Sequence, residues 1–116
     1  MAKKQYEVVI KLISNQQPCH SGHKIGDEWV FNYFTPPGMC GMAYNTIYPV
    51  ALALSIGGTF PWQEDPDVIT IACPDADVHN VFELRRRTIK NKLFYLFFGL
   101  LKSTVIIRVF HDIAIS

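Results

Sequence analysis

The chain has 116 residues and a formal charge of +1, with 49% hydrophobic and only 18% charged residues. This length suits one hydrophobic core, makes a second domain unexpected, and the apolar content excludes a chain too polar to fold. Three cysteines, an odd number, and an N-terminus with no apolar run before a cleavage site argue against a disulfide framework and secretion, so reduced thiols in the cytoplasm are expected.

Tyr6, Val8, Ile10 and Leu12 alternate with Glu7 and Lys11, the period-two pattern of a first strand. Residues 14–26 are rich in Ser, Asn, Gln, Pro and Gly and form a loop that carries Cys19, His20 and His23. The aromatic and β-branched residues 28–34 predict a second strand, stopped by Thr35-Pro36-Pro37-Gly38. Residues 39–56 carry no charge and are closed by Gly57-Gly58, which predicts a central helix with a left-handed glycine cap. Pro49 cannot donate to the carbonyl of Asn45, so a kink or two short helices is expected there. Ala43, Ile47, Val50, Leu52 and Leu54 cover most of the helix circumference, which calls for a sheet on one side and the C-terminal segment or a second subunit on the other. Phe60 to Pro66 is a proline-punctuated loop in which Trp62 is expected to plug the core. Residues 68–73 and 80–86 read as strands three and four, the latter ending in Arg85-Arg86-Arg87, a basic run read as a solvated edge. The order ββαββ is that of a small α+β domain, with an antiparallel or mixed sheet and the helix on one face.

The core domain is placed at residues 1–87, and residues 88–116 form a C-terminal extension. Charge marks the division: residues 1–84 carry four lysines against nine acidic residues, and residues 85–116 carry seven basic residues against Asp112 alone. Helical spacing over 89–101 and a strand-like run at 105–110 predict a helix and strand that pack on the core or on a partner subunit. Lys102 and Arg108 interrupt the apolar stretch 93–110, and the cost of burying them cancels the gain from its Leu, Ile, Val and Phe, which disfavours a membrane span. Contact with a membrane surface is a lesser option. Nucleic-acid binding is not expected, since the basic run has no interleaved aromatics and no reading helix.

Candidate chemistry centres on the cysteines. Cys19-His20-Ser21-Gly22-His23 places a thiol and an imidazole on one loop, with Gly22 permitting a tight turn. Cys40 begins the central helix, where unpaired amides and the helix dipole favour a thiolate, and Cys73 ends a strand. Cys19, His23, Cys40 and Cys73 make a Cys₃His set of the kind tetrahedral zinc takes, with iron or copper as alternatives by ligand softness. No C-x-x-C pair reinforces it. A second reading makes Cys40 a nucleophilic or redox thiol assisted by His23. A third leaves the cysteines as small buried hydrophobes and makes the chain an interaction module that docks through its apolar C-terminal segment. His20 and His79 are read as exposed, and Asp65, Asp67, Asp75 and Asp77 as a solvated acidic rim.

Four motifs occur in order: Cys-x-x-Gly-His-Lys-x-Gly-Asp at 19–27 as it stands with His20 and Ser21 in the variable places, Thr-Pro-x-Gly-x-Cys at 35–40, Leu-x-x-Gly-Gly-x-x-Pro-Trp at 54–62, and Ala-Cys-Pro-Asp at 72–75. Together they resemble a family of small, uncharacterised prokaryotic proteins, over residues 5–87. The resemblance implies that Cys19, His23, Cys40 and Cys73 occupy the family's characteristic positions, and it brings no activity, cofactor or substrate. Gly41 after Cys40 and the extension 88–116 depart from the family pattern. The expectation is therefore a small cytoplasmic, self-associating domain with a metal or thiol site and an unassigned small-molecule ligand.

Overall fold

In the computed structural model, residues 6–89 are described. The element order is β1 (Tyr6–Ser14), β2 (Glu28–Phe31), α1 (Gly41–Ser55), β3 (Val68–Ala72) and β4 (Val81–Thr88), a small α+β domain. The four strands form one antiparallel sheet in the order β2-β1-β4-β3. The helix and strand expected within 89–116 lie outside the described residues. Among the described residues no helix is long and apolar enough to cross a membrane.

Alternation along the strands decides which face is covered. Val8, Ile10 and Leu12 of β1 are fully buried, as are Phe82 and Leu84 of β4, and α1 sets Ala43, Ile47, Ala51 and Leu54 on that same core. Glu7 and Lys11 of β1 and Glu83, Arg85 and Arg87 of β4 occupy the alternate positions. On that second face Arg87 donates to Glu7, and Lys11 stands opposite Glu83 across the β1–β4 pair.

Four expectations are corrected. Strand two ends at Phe31, not Phe34, because Tyr33 adopts a left-handed φ of 72° that leaves the ladder. The helix is one continuous element through Pro49, not two short helices; Pro49 and Asn45, whose carbonyl it fails to serve, are both exposed residues. Trp62 does not plug the core: it is 71% exposed and leans on Phe60 at 5.3 Å between ring centroids. Arg86 is not part of a solvated edge. It alternates onto the core face of β4, is 8% exposed, and its guanidinium donates to Asp67 at 2.9 Å, to the carbonyl of Gly58 at 2.6 Å and to that of Leu54 at 3.4 Å, beneath the Tyr6 ring.

These contacts tie the end of α1 to the sheet. Gly57 takes φ 91° and donates to the Leu54 carbonyl at 3.1 Å, while Gly58 donates to Ala53 at 2.7 Å, the paired bonds of a Schellman termination. At the other end the Thr46 hydroxyl lies within reach of the carbonyls of Ala43 (2.9 Å) and Ala72 (3.3 Å), which holds the first turns of α1 against the end of β3. The helix N-terminus is thereby brought to the edge where the β1–β2 and β3–β4 loops meet.

Candidate functional site: a thiol-lined cavity

Three loop or element ends converge there. The β1–β2 loop turns tightly at Cys19–Gly22, where Gly22 donates to the Cys19 carbonyl at 3.0 Å with φ 81°, a conformation that a side chain would strain. The β3–β4 loop is closed by Cys73 donating to the Asn80 carbonyl at 2.8 Å. Inside it, Asp75 accepts from the amides of Asp77 and Val78. Gln16 donates to the Val78 carbonyl at 2.8 Å and so joins the two loops. Cys40 is the N-cap residue of α1, with extended backbone at φ −58° and ψ 132°.

All three cysteines line one cavity of about 110 Å³, together with Ser21, Asn80 and Asp75. Cys19 and Cys40 are partly buried and Cys73 is buried, and all three are free thiols. His23 stands outside the cavity wall. It is 8% exposed, packs edge-on against Trp29 at 4.7 Å, and its Nε2 accepts the backbone N–H of Cys40 at 3.0 Å. The lone pair of that nitrogen is thus occupied, and the imidazole fixes the backbone of Cys40. His20 is exposed on the cavity rim, and His79 is exposed with a left-handed φ of 52°. Among the described residues, no group of three or more His, Cys, Asp or Glu side chains is gathered closely enough to hold a metal ion.

The electrostatics distinguish the thiols. The Ser21 hydroxyl, followed by the backbone N–H of Ala43, holds the Cys40 thiol below its ordinary pKa, with burial opposing and the N–H of Met42 assisting. Burial pushes the Cys19 thiol up, but the N–H of Ser21, the Asn80 side-chain amide, the N–H of His23 and the Ser21 hydroxyl together bring it below its ordinary value. Ser21 serves both thiols, yet a hydroxyl has one proton to donate. The hydroxyl is the leading influence on Cys40 and the last of those on Cys19, whose thiol is lowered chiefly by the N–H of Ser21 and the Asn80 side chain against its burial.

The sequence pointed to the cysteines but not to Ser21 or Asn80. Ser21 stood in plain view between Cys19 and His23. Asn80 had a weaker signal, a polar residue directly before the apolar run of β4, and it is only 1% exposed.

Comparison with family models, with curated proteins and with solved structures finds no match to this chain. The class that fold and cavity define is therefore an α+β domain with a thiol-lined cavity at the helix N-terminus.

Proposed function

We propose that the domain is a reactive-thiol protein in which Cys40 is the nucleophile and Cys19 the second, resolving thiol. One observation carries the reading: two cysteines from separate elements line the same cavity, each surrounded by donors that favour the thiolate. Cys40 gains from the unpaired amides at the start of α1, the position where anions are most favoured along a helix. His23 supports this chemistry by holding the Cys40 backbone through its N–H, not by removing the thiol proton. Per-cysteine alkylation by iodoacetamide, followed by mass spectrometry across pH, tests the assignment. Cys40 is expected to alkylate fastest, with a midpoint below that of free cysteine, and Cys73 slowest. Equal or slower alkylation of Cys40 relative to free cysteine sinks it.

A soft metal ion held by the cysteines is the second reading, favoured by the presence of all three on one cavity wall. Zinc, iron and copper all accept thiolates, and closure of the set then needs the thiols to come closer together than they lie here, with the fourth position filled by something other than His23 Nε2. Elemental analysis of protein purified without a metal-affinity tag, with a thiol count before and after chelation, separates the two: a stoichiometric metal released together with thiols supports the second.

A further inference from the structure

The strand order β2-β1-β4-β3 leaves two edges, and the sequence guards them unequally. β2 is four residues long, opens on the charged Glu28 and is cut off by the left-handed turn at Tyr33, features that blunt an edge. β3 runs Val68-Ile69-Thr70-Ile71-Ala72 with no charge, proline or bulge, and among the described residues no strand pairs with its outer side. An edge of that kind is a template for another strand.

The hydrogen-bond phase of β3 says which strand fits. In an antiparallel pair alternate residues bond to the neighbouring strand, and those between them point their N–H and C=O away from it. Arg86 donates to the Asp67 carbonyl at 2.9 Å and Cys73 donates to the Asn80 carbonyl at 2.8 Å, which places residues 67 and 73 in the inward set. The register between them is uninterrupted, so Ile69 and Ile71 are inward as well. Val68, Thr70 and Ala72 therefore present their backbone groups outward, a set symmetric about Thr70. A second β3, antiparallel to the first about a two-fold axis at Thr70, matches it group for group. Thr70 exchanges two bonds with Thr70 of the second copy, and the Ala72 amide of each copy reaches the Val68 carbonyl of the other. The Val68 amide and the Ala72 carbonyl already have partners, the Asp65 carbonyl and the Thr46 hydroxyl, each at 3.3 Å, and both can stay as they are.

The side chains agree with this register. Ile69 of each copy comes to stand opposite Ile71 of the other on the helix-covered face, where Ile69 is buried and Ile71 is only half-buried in the single chain. Thr70 meets Thr70, and Val68 meets Ala72, on the opposite face. These are uncharged and mostly β-branched pairs of the kind that stabilises adjacent strands, and no like charges face each other within the ladder.

We propose that the protein self-associates through the outer edge of β3 as a two-fold symmetric dimer, which joins the two sheets into one continuous antiparallel sheet. The contact is small, so the dimer is reversible and depends on concentration.

Sedimentation velocity of the full chain under reducing conditions, from micromolar to millimolar concentration, tests the proposal. Wild type is expected to pass from monomer to dimer over that range. Thr70 is exposed, so Thr70→Lys and Thr70→Glu should not disturb the fold. Each sets like charges against each other across the axis and should weaken association about tenfold or more, while an equimolar mixture of the two variants should recover it. Wild type that stays monomeric throughout overturns the proposal. Association that neither variant weakens also overturns it, since another surface is then used, and loss in both variants without recovery in the mixture overturns the register about Thr70. Amide hydrogen exchange gives an independent reading: protection of Thr70 should grow with concentration, and full protection in a monomer assigns the edge to a segment of the same chain and overturns the dimer.

Discussion

At the residue scale the lowered pKa of the Cys40 thiol comes from its neighbours. Ser21→Ala removes the leading influence that lowers the Cys40 thiol and the least of those that lower Cys19. The pH midpoint for Cys40 alkylation should therefore rise more than that of Cys19, whose main donors are backbone amides and Asn80. An equal rise at both would contradict that order of influences. His23→Ala removes the acceptor for the Cys40 N–H and the edge contact with Trp29. The amide is only part-buried, so the expected loss is on the order of 1–2 kcal/mol by denaturant unfolding. Cys40 and Cys73 adjoin element ends and Cys19 lies in a loop, positions the sequence marks through their Pro and Gly neighbours, and the three line one cavity. The separate task of His23 was not legible, since a motif cannot say whether an imidazole offers its lone pair to a metal or to an amide. Asn80 was hidden for a related reason: its burial beside Cys19 is set by the packing of distant segments.

At the element scale α1 is fastened at both ends by different means. Its C-terminal end depends on Arg86, whose guanidinium reaches the carbonyls of Leu54 and Gly58 and the Asp67 carboxylate. Arg86→Ala strands those carbonyls, and the expected destabilisation is about 3 kcal/mol; Arg86→Lys should recover little of it, because an ammonium lacks the planar fork. Gly58→Ala places a Cβ 2.8 Å from the Ala53 carbonyl oxygen, a backbone atom that has no room to yield, and should lower the melting temperature by several degrees. The helix, its glycine cap and the two central strands were readable from periodicity and turn residues. Arg86 was not, because three successive arginines look solvated until the register of β4 against β1 is known: Val8 faces Arg86 across the pair, so that arginine shares the buried face. Tyr33 misled in the opposite direction, its aromatic neighbours suggesting strand where the backbone turns left-handed.

At the scale of the whole molecule, the donors around the cavity couple protonation to stability. Cys19 and Cys40 both have folded-state values below their unfolded ones, so the unfolded chain binds more protons in the window between the two. Their contribution is fully present above the unfolded thiol value, near pH 8.5, and fades as pH falls through the folded values. Unfolding free energy should therefore rise with pH on approach to that point under reducing conditions, and Cys40→Ser should flatten the slope. An unchanged slope would mean that the thiols are not perturbed. The cavity lined by the cysteines thus sits at the N-terminal end of a helix whose opposite end is clamped to the sheet.

The most direct test of the central claim is an ultraviolet titration of thiolate absorbance in the reduced protein, compared with Cys40→Ser and Cys19→Ser. The account predicts that the first thiolate appears below the range of free cysteine and disappears in Cys40→Ser but persists in Cys19→Ser. If the first thiolate instead titrates at or above the value of free cysteine, or survives the loss of Cys40, the cavity at the head of α1 is not a nucleophilic thiol site.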